Sequence, residues 1–300
     1  VYGGVRVNYV WNKYEGSITN ISANINGTNY PLHEYFGTTA NALETQAKAL
    51  RAQAQTITDP TTIAKLTAGA DQAEAGAKAM RKQEGEVQDK HLESTQTGWG
   101  VTPIIGVDVK LGKWNLASKL EFNTHLNIQN DTKRDDTGMF KHGVNTPNDI
   151  PALLTLGAQY EITPEVRVMT GWHHYFDKSA KMANDKQKLL KGDTNEFLLG
   201  AEWDVTDKIL VSAGTQLTRY GLGNGAYLND MSFVTSSYSI GFGAKFQVAK
   251  NMHVNVAYFW TNYEKFNKTT EATLGAAQVV NTDEFTRTNK VFGVGLDITF

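Results

Sequence analysis

The residues that could do chemistry are few and poorly spaced for it. His173 and His174 lie just before Asp177, and Asp135 and Asp136 are adjacent in another segment. His and Asp side chains held within reach of one another could do acid–base chemistry, which makes these residues the ones to weigh. In an extended strand, however, neighbouring side chains point to opposite faces. Only one of the two histidines can face a common site, and the alternation described below makes it His173. Adjacent acids in a polar loop are commonly a solvated rim. The chain has no Cys, no Gly-x-Ser-x-Gly elbow, no glycine-rich phosphate loop and no metal-spaced His set. These absences predict no catalytic residue, no metal and no cofactor.

The elements that carry these residues are strands. With 29 basic and 31 acidic residues in 300, the net charge is -2. That balance leaves no electrostatic footprint for nucleic acid. Mean hydropathy is -0.39, and no apolar run approaches the roughly 18 residues of a membrane helix. A membrane barrel is still allowed, because strands that alternate apolar-out with polar-in average to near neutrality.

A repeat identifies the barrel. Five times a glycine is followed by an apolar, a polar and an apolar residue, as in Gly106-Val107-Asp108-Val109, Gly157-Ala158-Gln159-Tyr160, Gly200-Ala201-Glu202-Trp203, Gly243-Ala244-Lys245-Phe246 and Gly295-Leu296-Asp297-Ile298. Four copies run into a short turn (111–113, 163–165, 206–208 and 249–251) and a second alternating run, so the unit is a hairpin. After the first turn, Trp114, Leu116, Leu120, Phe122, Leu126 and Ile128 fall on one face. Lys119, Glu121, Asn123, His125, Asn127 and Gln129 fall on the other. Each repeat glycine falls on the polar face, which predicts that the glycines point inward.

Short turns alternate with long polar segments, about 14–96, 131–149, 177–194, 221–231 and 266–284. A soluble sandwich would have short connections at both ends, whereas outer-membrane barrels have short periplasmic turns and long external loops. Aromatics mark both ends of the apolar face: Trp114, Tyr160, Trp203, Phe246 and Phe300 near the turns, and Trp172, Phe176 and Trp260 near the loops. The predicted fold is an all-β transmembrane antiparallel β-barrel over 1–300, with about ten strands: 1–13, 99–111, 114–129, 150–162, 165–176, 195–205, 208–220, 232–248, 251–264 and 285–300. The expected location is the bacterial outer membrane, with outer-membrane lipid and lipopolysaccharide as surroundings and the last strand ending at Phe300 on the periplasmic side. No basic-then-apolar leader precedes Val1, so the chain is expected to be processed or to begin partway through its gene product.

The insertion at 37–93 is rich in Ala, Gln, Lys and Glu, and Asp59-Pro60 supplies an N-cap and a first-turn proline. Stripes of Ala40, Leu43, Ala47 and Leu50, and of Ile63, Leu66, Ala70, Ala73 and Ala77, predict a helical hairpin in the first external loop. Packing explains the stripes, and an apolar docking surface would use the same residues.

The run from Asp149 to Tyr160, the Val166–Trp172 strand, and segments 197–214 and 238–258 resemble the FadL/TodX family of outer-membrane transporters for long-chain fatty acids and other hydrophobic compounds. The resemblance covers about 99 to 300. It implies a fourteen-stranded barrel of which this chain supplies the C-terminal ten strands, with the helical insertion in the third external loop. The family's N-terminal plug and four opening strands have no match here. The implied activity is passive uptake of an apolar ligand from a loop groove through the lumen and sideways into the bilayer. Leu43, Leu50, Ile63 and Leu66, facing Met139 and Phe140, would take the ligand tail. Inward Arg6, Lys119 and Arg167 would meet a carboxylate, or else pair with Glu121, Glu161 or Glu202. Two other readings stand beside it: a barrel partner or carrier in a protein secretion or uptake complex, and an omptin-like protease.

Overall fold

The computed structural model describes residues 1–300 except 26, 230–232, 275–276 and 300. Phe300, expected in the short-turn girdle and at the periplasmic end, lies outside the described residues. Twelve described strands form one sheet, all of whose registered pairs are antiparallel, and the chain divides into two compact units.

The first unit comprises 1–10, 97–129 and 145–300. Its wall is a meander in which Trp114–Glu121, Leu153–Glu161, Val166–Tyr175, Thr194–Thr206, Ile209–Arg219, Ser237–Ala249, Met252–Tyr263 and Thr288–Ile298 pair in turn. Lys90–Leu111 pairs with Trp114–Glu121 and also with Tyr2–Ile18. The four predicted turns are present, and the first closes on Gly112, whose φ of 60° is one that a side chain disfavours.

Large apolar side chains on the outer face of this wall stand exposed. Phe292 is 71% exposed, Leu199 61%, Phe242 59% and Leu296 56%. A sandwich would bury these residues between two sheets; a barrel gives them to lipid. Trp114 stacks on Tyr160 at 4.7 Å at the short-turn end, and Tyr238 meets Trp260 edge-on at 6.4 Å at the long-loop end.

One expectation fails within the wall. The alternation over 114–129 predicts a single strand with Leu126 and Ile128 outward and Asn123, His125, Asn127 and Gln129 inward. The strand instead breaks after Glu121 and resumes at Asn127–Asp135, with Leu126 2% and Ile128 1% exposed and the His125 side chain 83% exposed. The cause is opposite, in Lys90–Leu111. Ile104 pairs with Glu121, while the Thr102 hydroxyl bonds that of Thr124. Two steps on one strand face three on the other, which is a β-bulge. Pro103 sits opposite the extra residue; it has no N–H to give the ladder, and its carbonyl accepts from Phe122 N at 3.0 Å. One added residue exchanges the faces of everything beyond it.

The second unit, 11–96 and 130–144, contains the predicted helical hairpin, with α1 at Leu32–Ala54 and α2 at Pro60–Glu86. Asp59 caps α2 by accepting from Thr62 N at 2.9 Å, and Pro60 occupies its first turn. Ala40, Ala47, Ala70, Ala73 and Ala77 are buried. Leu43 lies over Gly76 and Leu50 over Gly69, where an added Cβ would stand 3.3 and 3.4 Å from the leucine methyl groups. Arg51 bridges to Asp71 and Glu74, and Arg81 to Glu44, tying the helices along their exposed side.

Candidate functional site

The inward face of the first unit is set by register. Gly157 pairs with Gly171, Gly200 with Gly214, Gly214 with Gly241, and Gly243 with Ala257. The glycines that recur along the sequence thus line up sideways, forming a belt of residues with little or no side chain across adjacent strands. Two of them accommodate neighbours directly: a Cβ at Gly241 would stand 3.0 Å from the Phe259 ring, and one at Gly200 3.2 Å from Met169. Along this belt lies a cavity of about 570 Å³, in which Met169, Leu198 and Phe259 are the large inward apolar side chains.

Polar groups flank the belt along the strands. Toward the short turns, Arg167 donates to Glu202 at 3.2 Å and Asp204 at 2.7 Å, Lys110 to Glu161 at 3.1 Å, and Asn255 to Asp297 at 2.8 Å. Toward the long loops, Glu196 lies 2.9 Å from His173 Nδ1 and accepts from Gln216 at 2.8 Å, Tyr175 at 3.2 Å and Thr218 at 3.2 Å. Beyond Glu196, Leu190, Leu222, Leu228 and Phe285 are buried together, with Tyr220, Tyr227 and Phe266 packed on them. Burial there, with Glu196 and Asp177 nearby, pushes the Tyr220 phenol up to about 12, so it stays a neutral donor at any physiological pH.

The sequence-predicted residues fall into separate groups. Arg6 and Lys119 both bind Glu121, each at 2.7 Å. Arg167 is held between Glu202 and Asp204. These pairs run along a strand or to a near strand. In the second unit, Leu43 and Leu50 lie between the two helices, Ile63 and Leu66 are half-buried on α2, Met139 is exposed, and Phe140 stacks on Tyr14 at 4.9 Å. Asp135 accepts from Thr137, Gly138 and Phe140 within its own turn, while Asp136 takes Arg134 and the His91 backbone. His173 and His174 face opposite sides, toward Glu196 and Asn195. The Asp pair and the histidines are thus each engaged locally.

Sequence reasoning missed Glu196, Met169, Leu198 and Phe259. Each repeat glycine was visible, but which residues flank it sideways depends on strand register, which a single sequence does not display.

No protein-family model and no curated protein matches the chain. Among solved structures, a FadL homologue from Pseudomonas aeruginosa aligns at 14% identity and a TM-score of 0.55, over 70% of this chain and 55% of that one. The toluene transporter TodX of P. putida aligns at 11% identity and 0.45, over 70% and 54%, and the toluene transporter TbuX of Ralstonia pickettii at 11% and 0.43, over 71% and 51%. The fold assignment rests on the first, and it is the FadL-type β-barrel fold. The chain spans about half the length of the structures it matches.

Proposed function

We propose that this chain forms the larger part of the wall of an outer-membrane channel for passive uptake of hydrophobic small molecules. The observation that carries the reading is the inward cavity of about 570 Å³ along the glycine belt, with Met169, Leu198 and Phe259 on it and polar groups on either side. An apolar solute crosses a water-filled pore poorly, and a shielded path spares it repeated hydration. Apolar walls with a few placed polar groups are what small-molecule sites consist of. The fold's solved examples include a FadL homologue and two toluene transporters, which is in keeping with this cargo.

Long-chain fatty acids are the cargo we favour, on a balance of charge. Arg6 and Lys119 bring two positive charges to the single carboxylate of Glu121, whereas Arg167 is outnumbered by Glu202 and Asp204. A ligand carboxylate therefore gains more beside Arg6 and Lys119. Leu43, Leu50, Ile63, Leu66, Met139 and Phe140 remain our proposal for the tail's first contact outside. Uptake of labelled oleate and of toluene by cells carrying the full-length protein tests the reading. Arg6→Met should slow oleate and spare toluene, Arg167→Met should change neither selectively, and absence of uptake of both cargoes by the wild-type protein would refute the channel.

A further inference from the structure

Segment 177–193 joins two wall strands at the long-loop end, and it carries Lys178, Lys181, Lys186, Lys188 and Lys191 against Asp177, Asp185 and Asp193. Its acids are engaged within the fold. Asp177 accepts from Thr194 N at 2.9 Å, Asp193 from Lys178 N at 2.9 Å, and Asp185 holds Lys188 at 2.7 Å. Lys186 turns inward over the Tyr227 ring, 4.5 Å from its centre. Lys178, Lys181, Lys188 and Lys191 are exposed, with Leu189 among them 49% exposed. The segment is also pre-shaped: Lys191 N donates to Gly221 O at 2.7 Å and Met182 N to Gln187 at 3.0 Å.

What lies next to it on the outward face fixes its height. The Asn195 side-chain oxygen accepts from Trp172 Nε1 at 3.1 Å and lies 2.9 Å from His174 Nδ1, and the His174 ring stands 4.7 Å from Phe176. Further along the same face come exposed Phe197 and Leu199. Apolar surface, then an aromatic and amide belt, then lysines is the order expected at a membrane surface, with the lysines at the level of lipid headgroups.

We propose that Lys178, Lys181 and Lys191 form a docking surface for the phosphate groups of anionic lipid in the outer leaflet, with Leu189 resting on the acyl boundary. The inference rests on the outer-membrane reading. The test uses the full-length protein reconstituted into vesicles of mixed phosphatidylglycerol and phosphatidylcholine, extracted gently, with both retained lipids quantified. Phosphatidylglycerol should be enriched. Changing Lys178, Lys181 and Lys191 together to Gln should lower its ratio to phosphatidylcholine by at least about five-fold, the worth of one lysine at an anionic surface. In the wild-type protein, raising the salt should lower that enrichment, which needs no variant to fold. A ratio unchanged in the triple variant, or a wild-type ratio indifferent to salt, overturns the proposal. Protein that never inserts into vesicles overturns the membrane reading as well, whereas inserted protein without lipid preference overturns the docking surface alone.

Discussion

Filling the glycine belt tests the cavity by volume alone. Gly157 and Gly171 are cross-strand partners, and a Cβ at either meets nothing nearer than 3.9 and 3.5 Å respectively. The pair Gly157→Leu and Gly171→Leu therefore enters without backbone strain, and replacing strand glycines should leave stability equal or raise it by about 0.5–1 kcal/mol each. Each leucine adds four carbons, roughly 120 Å³ at about 30 Å³ per water-sized group, so the pair removes roughly 240 Å³. That is a large part of the room that a belt cavity of about 570 Å³ offers a ligand. A fatty acid of about 18 carbons needs roughly 540 Å³ by that scale, and toluene roughly 210 Å³. The double variant should thus lose most oleate uptake, on the order of ten-fold if seating the chain costs about 1.4 kcal/mol more, while toluene uptake persists. Heat-resistant gel mobility would confirm that the barrel is intact. Oleate uptake unchanged in a folded variant would take the cavity off the path, and an equal loss for both solutes would refute the volume argument.

Two leucines report the two faces. Leu296→Arg should cost about 2–4 kcal/mol in a lipid refolding assay if it meets the mid-membrane, and Leu126→Ala about 2–5 kcal/mol as a buried side chain; wild-type stability for Leu296→Arg would mean the face meets no lipid. Asp149 accepts from Asn123, His125 and the Leu126 backbone. Burial opposes its ionisation, but these bonds outweigh burial and hold its carboxyl below the usual range. The stability it contributes is therefore present above its unfolded value of about 3.9 and lost as pH falls through the lower folded value. Asp149→Asn should flatten that acid limb in a melting series, and an unchanged limb would exclude Asp149 as its source. Single cysteines at Lys113, Glu165 or Lys250 should resist an impermeant thiol reagent on intact cells, and those at Lys141 or Asn267 should react; the reverse pattern would invert the topology.

The strand order, the turns and the helical hairpin were legible because each depends on local pattern. Alternation from Trp114 to Glu121 and from Phe292 to Ile298 reads correctly, since a regular strand keeps its phase. It misread Leu126 and Ile128 because the bulge originates in Pro103, about twenty residues earlier and one strand away. The same limit applies to the site. Arg167 could be matched to Glu202 from the repeat, but Asp204 and the Glu196 cluster come together through register alone.

The phase slip at Phe122 and Asn123 also marks a waterline. Short of the bulge this strand turns Leu116 and Leu120 to the outside; past it the outward positions are His125, Asn127 and Gln129, which hydrocarbon would reject. At this strand, hydrocarbon contact should therefore end near Phe122. A proline's missing hydrogen on the neighbouring strand thus determines how deeply this part of the wall can sit in its membrane.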